Sequence, residues 1–221
     1  MTTTQRDAVR ALLDRYGQTY AEEAGIALKD TPQPLYRLLV LASLLSARIR
    51  AGVAVASAKA LTEAGMRDPH RMAAATWQER VDALGRGGYR RYDERTATQL
   101  GDGARLVVER YGGDLRRMRE RAGGDIAELR RELREFPGVG PAGADIFLRE
   151  VQAVWPEVAP YLDAKALDGA RRLDLPDTPA ALLRAAGDTE PAVLAAALVR
   201  VALDKNAAEQ VREQAGRYAA H

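Results

Sequence analysis

Apolar residues recur along most of the chain at the three- to four-residue spacing of amphipathic helices, and strand-like alternation is scarce. The segment PLYRLLVLASLLSARIR, residues 34–50, is apolar on nearly every face from Leu38 to Leu45, as expected of a central buried helix. The sequence therefore predicts an all-α fold. The predicted helices, or helix pairs, cover residues 5–16, 34–49, 53–64, 70–83, 94–110, 125–135, 141–154, 164–173, 179–186 and 190–219.

Glycine and proline interrupt the helical pattern, but no low-complexity linker or internal repeat separates two domains. We therefore expect a single compact body with two helical lobes. Lobe one would comprise residues 1–33 and 176–221, and lobe two residues 34–175. The segment 190–219 is predicted to form one or two amphipathic helices that pack back on the N-terminal helices.

Composition excludes several kinds of site. The 221 residues are 47% hydrophobic, which is ample for a buried core, and they include no cysteine. Disulfides, thiolate zinc sites and cysteine-held iron–sulfur clusters are therefore excluded. The two histidines, His70 and His221, are far apart, so no histidine metal site is expected.

No apolar run approaches the roughly 20 residues of a membrane span, and MTTTQRDAVR has no signal region, which predicts a cytoplasmic protein.

The basic residues are unusual in kind. Net charge is only +2, but 29 arginines stand against 4 lysines. Arginine binds phosphate well because its planar guanidinium group donates two parallel hydrogen bonds. Codon bias of the genome is the alternative explanation for the excess of arginine over lysine. Residues 34–62 carry Arg37, Arg48, Arg50 and Lys59 and no acidic residue, which favours a surface that faces nucleic acid over ordinary solvation.

One motif stands out in ELRRELREFPGVGPAGADIFLREV, which begins at Glu128. The pattern predicts a helix, a tight turn over residues 137–140 with Val139 pointing inward, and a second helix from about Pro141. Glycines permit positive φ and close approach of another backbone, and a new helix offers unpaired N–H groups. The turn suits a phosphate cradle, and the alternative is an ordinary αα-hairpin whose glycines serve packing.

This stretch resembles the helix–hairpin–helix of the endonuclease III and adenine glycosylase superfamily of DNA-repair glycosylases. The family's LLSAQ-like helix end is similar to LLSAR ending at Arg48, and its GLY-like turn to GGYRRYDERTATQL from Gly87. YLDAKALDGARRL puts Asp163 at the family's aspartate. Order and spacing agree over roughly residues 30–175. The resemblance implies a two-lobed helix–hairpin–helix glycosylase-like fold, with the hairpin at about 125–154, that acts on double-stranded DNA holding a damaged or mispaired base.

The resemblance also implies a set of site residues. Asp163 precedes the helical pattern AKALDGARRL, where the helix dipole favours a carboxylate that stabilises positive charge on deoxyribose or orients water. The alternative role of Asp163 is a purely structural helix cap. Tyr161 would line the base pocket. The expected DNA contacts are Pro137, Gly138, Val139, Gly140, Ala142 and Gly143 in the hairpin, with Arg48, Tyr89, Arg90 and Arg91 as wedge residues.

Departures from the family pattern limit the chemistry. Members that cut the backbone continue the hairpin as GVGRKTA, whose lysine forms a Schiff base, whereas this chain has GVGPAGA with Ala142 in that place. Lys165 is the nearest amine to Asp163, but a two-residue helical step turns about 200°, so the side chains should diverge. Many relatives have a glutamine at the position of Arg48, and this glutamine fills the gap left by the extruded base. An arginine can fill the same gap while it pairs with a phosphate or a guanine edge.

Three functions follow from these residues. We expect a monofunctional DNA glycosylase that uses Asp163 and a water. The alternative is a non-catalytic binder of lesioned, bent or branched DNA, and a weaker one is a bifunctional lyase with Lys165 as relocated nucleophile. No cofactor is expected apart from a monovalent cation on the hairpin carbonyls. The protein is expected to be a monomer associated with the nucleoid in the cytoplasm.

Overall fold

The structure is a computed structural model and describes residues 3–219. All regular structure in this part of the chain is helical, as predicted. The first seven α-helices are α1 Thr3–Tyr16, α2 Tyr20–Glu23, α3 Pro32–Leu45, α4 Ala51–Glu63, α5 Pro69–Ala74, α6 Trp77–Arg86 and α7 Asp93–Tyr111. The remaining ones are α8 Arg116–Ala122, α9 Ile126–Leu133, α10 Pro141–Val151, α11 Ala164–Arg172, α12 Pro179–Ala186, α13 Pro191–Leu203 and α14 Ala207–Ala219, and a 3₁₀ turn covers Pro156–Val158.

Most predicted helices are present with small shifts at their ends. The predicted helix 70–83 is wrong in one respect, because it divides into α5 and α6. Thr76 starts α6 with a capping box, in which its side chain accepts from the backbone of Glu79 and Glu79 accepts from the backbone of Thr76. The short helices α2 and α8 were not predicted. None of the described helices is long and apolar enough to cross a bilayer.

The described chain divides into two compact units. Unit one contains the chain up to Tyr20 and again from Trp155 onward, and unit two is Ala21–Val154. The predicted lobes differ from these units at two places. Residues 21–33 were expected in lobe one but belong to unit two, and residues 155–175 were expected in lobe two but belong to unit one. For α11 the reason lies in its packing on α13 within unit one, because Gly169 brings the two backbones together.

Helix α3 forms the centre of unit two. Leu35, Leu38 and Leu41 are completely buried, and Leu44 nearly so, which confirms the prediction of a core helix. Helices α4 and α10 pack against it. The C-terminal end of α3 lies against the start of α10, because a Cβ on Gly143 would lie 3.3 Å from Oγ of Ser46, the C-cap of α3.

A buried arginine ties together α5, α6 and α7. Arg80 is 5% exposed, and its Nε donates to the carbonyl oxygen of Ala97 at 2.7 Å. Its Nη1 donates to the carbonyl oxygens of Met72 at 3.1 Å and Ala75 at 2.6 Å. Burial lowers the pKa of the Arg80 guanidinium, although three carbonyl acceptors satisfy it. Gly101 makes room, since a Cβ there would lie 2.7 Å from Arg80 Cζ.

In unit one, α11 packs on α13, and α1 packs on both α13 and α14. The predicted packing of the C-terminal segment on the N-terminal helix is thus confirmed, with two helices in that segment. The apolar core of this unit includes Leu12, Leu194, Leu198 and Val211, all essentially inaccessible to solvent. His221 lies outside the described residues.

Candidate functional site

The glycine-rich segment forms the predicted hairpin in unit two. Helix α9 ends at Leu133, a turn follows, and α10 begins at Pro141. Arg130 clamps the two helices together, because its Nε and Nη2 donate to the two carboxylate oxygens of Asp145 at 2.7 and 3.1 Å. Val139 is 5% exposed, so its side chain points inward as predicted. The hairpin is therefore fixed by an ion pair outside and an apolar anchor inside.

The three glycines of the hairpin, two in the turn and one in the first turn of α10, differ in why a glycine is required. Gly138 has φ +84°, and a Cβ on it would lie 3.1 Å from Gln99 Oε1 and 3.2 Å from Ser43 Oγ. Gly143 is confined by the side chains of Val139 and Ser46. Gly140, by contrast, has φ −86°, and a Cβ there would meet nothing within 4 Å. The fold explains Gly138 and Gly143, but it does not explain Gly140.

The N-terminus of α10 has no side-chain cap. Gly140 is the N-cap residue and offers no side chain, and the first helical residue is Pro141. The helices α9 and α11 differ, because Asp125 and Asp163 accept hydrogen bonds from their first-turn amides. The first-turn amides of α10 have no such acceptor and lie next to the exposed residues Gly140 to Ala142. This helix end carries partial positive charge beside solvent.

A groove of about 860 Å³ runs over the hairpin. It brings together most of the residues that sequence reasoning had nominated in unit two, including Arg48 from the bend after α3 and Tyr89 from the segment before α7. Its full lining is Ser43, Ser46, Ala47, Arg48, Tyr89, Tyr92, Arg95, Thr96, Gln99, Arg134, Glu135, Phe136, Pro137, Gly138, Val139, Gly140, Pro141 and Ala142.

The charged residues of the groove are three arginines, Arg48, Arg95 and Arg134, and one glutamate, Glu135. Within the described part of the chain, none of the three arginine side chains forms a hydrogen bond or an ion pair. Arg130 is paired with Asp145, and Arg131 with Glu128. Arg130, Arg131 and Arg134 all precede the turn. Of these three, Arg134 is the one that lines the groove and has no carboxylate partner.

The turn before α7 is arranged differently from the prediction. Tyr89, expected in the wedge, is 2% exposed, and its hydroxyl lies 2.9 Å from Thr96 Oγ1. Such burial leaves no ring surface for insertion into DNA. The exposed aromatic residue of this turn is Tyr92, at 56% exposure. Arg90 and Arg91 are exposed, as a DNA contact requires.

Asp163 lies in unit one and caps α11. Its Oδ1 accepts a hydrogen bond from the Ala166 amide at 3.2 Å, and the residue is half-buried. Tyr161 is also half-buried, in the irregular segment that precedes this cap. Lys165 is exposed, with Nζ 3.8 Å from Asp168 Oδ2. The predicted position of Asp163 at a helix N-cap is thus confirmed, and Lys165 is turned toward Asp168.

Two solved structures are similar to this chain over 90% of its length and 85% of theirs. One is a non-covalent endonuclease III–DNA complex, with a TM-score of 0.52 and 18% sequence identity. The chain has the endonuclease III fold. The other is a trapped covalent endonuclease III–DNA intermediate in an estranged-adenine complex, with a TM-score of 0.46 and 20% identity. No protein-family model and no curated protein sequence matches the chain.

Among the groove residues that the sequence did not predict are Ser43, Tyr92, Arg95, Gln99 and Arg134. A signal for three of them was present, because Tyr92, Arg95 and Gln99 recur at the three- and four-residue spacing of one helix face. Ser43 needed knowledge of the tertiary packing, since α3 meets the hairpin only in the folded chain.

Proposed function

We propose that the protein is a DNA glycosylase that hydrolyses the N-glycosidic bond of a damaged or mispaired base without cutting the backbone. The observation that carries the proposal is the groove over the hairpin, where three arginines without ion-pair partners flank an uncapped helix N-terminus. Helix N-termini and arginines both bind phosphate. The likeness of the fold to endonuclease III, solved in complex with DNA, supports double-stranded DNA as the partner.

The chemistry assigned to the chain rests on Asp163. As the glycosidic bond breaks, positive charge grows on the deoxyribose, and a carboxylate stabilises that charge. A water supplies the oxygen that bonds to the sugar carbon and gives a proton to the leaving base. The target nucleotide must leave the stack for this reaction, and the groove arginines, including Arg48, are the proposed phosphate contacts and gap fillers.

No observation favours the lyase alternative. Ala142 lines the groove at the position where the family's lysine is expected, and an alanine offers no amine. Lys165, the proposed substitute, is exposed and 3.8 Å from Asp168. The monovalent cation at the hairpin, the monomeric state and the nucleoid-associated location stay predictions.

Gly140 offers a test of DNA binding that is separate from catalysis. Replacing Gly140 with alanine is expected to weaken binding of a lesion-containing duplex by about tenfold, because the methyl group would hold a phosphate away from the helix N-terminus. Stability should fall by no more than about 1 kcal/mol, since the new Cβ meets nothing within 4 Å and φ is −86°, so that the main loss is the preference of an N-cap for glycine over alanine. Fluorescence anisotropy with a labelled duplex, over a range of salt concentrations, measures the effect.

The matched control is Gly85→Ala in α6, where a Cβ also meets nothing within 4 Å and no groove residue is changed. This variant should bind DNA as the wild type does. If Gly140→Ala binds DNA as tightly as the wild type, the turn at Gly140 does not contact a phosphate of the DNA, which would contradict the phosphate-cradle assignment.

A further inference from the structure

Tyr92 has a conformation that its residue type disfavours. It is the N-cap of α7 with φ 65° and ψ 17°, in the left-handed region that glycine and asparagine adopt most easily. Its side chain makes no capping hydrogen bond. The local fold would thus be served better by asparagine or glycine than by tyrosine.

The core does not require this tyrosine either. At 56% exposure, Tyr92 is one of three exposed large hydrophobic side chains in the described chain, with Trp77 and Leu203. Trp77 anchors its indole N–H on the carbonyl oxygen of Glu94, at 3.3 Å. Neither the backbone nor the interior accounts for Tyr92, and its side chain lines the groove over the hairpin.

The surroundings of the ring indicate what it binds. The Arg91 guanidinium carbon lies 4.9 Å from the ring centroid, which is a cation–π contact. Arg95, one helical turn along α7, and Arg48 line the same groove without ion-pair partners. An exposed aromatic face beside several arginines is the arrangement that holds an unstacked nucleobase and neutralises the adjoining phosphates.

We propose that Tyr92, backed by Arg91, is a stacking site for an unpaired base of the bound DNA. The inference rests on the proposed function, since it requires that DNA occupies the groove. Stacking on an aromatic ring tolerates any base, so this site selects for the unpaired state of a nucleotide rather than for its identity. It thereby contributes to recognition of mispaired or damaged positions, which lose their stacking most easily.

The test compares two duplexes that differ by one base: an adenine opposite an abasic site, and an abasic site opposite an abasic site. The wild type is expected to bind the first about tenfold more tightly. Tyr92→Asn should lose that difference and bind both duplexes alike, whereas Tyr92→Phe should keep it. With 2-aminopurine as the unpaired base, its emission should be quenched by the wild type and not by Tyr92→Asn.

Two controls keep the result interpretable. Tyr92→Asn should melt no lower than the wild type, because asparagine accepts the left-handed backbone. Leu203→Ala, which removes an exposed apolar side chain from unit one, should leave the tenfold preference unchanged. If the wild type binds DNA but does not discriminate between the duplexes, or if Tyr92→Asn still discriminates, the stacking site is refuted and the DNA-binding proposal stands. If the wild type binds no DNA, both fall.

Discussion

Replacing Gly169 with alanine is expected to destabilise unit one by about 3 kcal/mol or more. A Cβ on Gly169 would lie 1.9 Å from the Leu198 carbonyl oxygen and 2.7 Å from its carbonyl carbon, so α11 must move away from α13. The clash is with backbone, which no rotamer change relieves. Since Asp163 caps the same helix, base release should fall together with stability. Urea unfolding monitored by circular dichroism measures the loss.

Gly216→Ala is the control for this prediction. Gly216 also lies within a helix of unit one, but a Cβ there would meet nothing within 4 Å. Alanine has the higher helix propensity, so Gly216→Ala should stabilise the protein by about 0.5 to 1 kcal/mol. A Gly169→Ala protein as stable as the wild type would mean that α11 and α13 are not in close backbone contact.

Replacing Ala142 with lysine is expected to create a covalent activity that the wild type lacks. Ala142 is exposed in the groove, at the position where the resemblance places a Schiff-base lysine. The amine would attack the aldehyde carbon of a ring-opened abasic deoxyribose, and loss of water would leave an imine that borohydride reduces to a stable amine. The groove arginines assist, because nearby positive charge lowers the pKa of a lysine.

Incubation with an abasic duplex and borohydride, followed by denaturing electrophoresis, shows the adduct as a band of lower mobility. Ala127→Lys is the matched control, because Ala127 is exposed on α9 and does not line the groove. It should give no adduct, as should the wild type. An adduct with the wild type that Lys165→Ala removes would establish the relocated lyase. If Ala142→Lys binds the duplex but forms no adduct, the hairpin does not lie at the sugar.

Local patterns were sufficient for much of this fold. The buried helix α3 follows from an apolar run on nearly every face, and the hairpin from its glycines and prolines. The Asp163 cap follows from a carboxylate placed immediately before a helical period. Each of these features depends on residues close together in sequence, so each is visible without the tertiary structure.

Features that depend on how one element packs against another could not be predicted from the sequence. Tyr89 and Tyr92 flank one short turn, and their burial is opposite because Tyr89 reaches Thr96 while Tyr92 takes a left-handed backbone. The assignment of α11 to unit one depends on the approach of Gly169 to Leu198, which lies 29 residues away. The three carbonyls around Arg80 likewise come from different helices and loops.

Single-turnover kinetics would show whether this chain releases bases from DNA. The panel holds duplexes with uracil, thymine mispaired with guanine, oxidised pyrimidines, adenine opposite oxidised guanine, and alkylated purines. We expect the wild type to release at least one of these bases and Asp163→Asn to lose release by roughly 100-fold or more while still binding the duplex. Absence of release from every duplex, with distorted DNA still bound in a steeply salt-dependent manner, would contradict the glycosylase assignment and make Asp163 a helix cap alone.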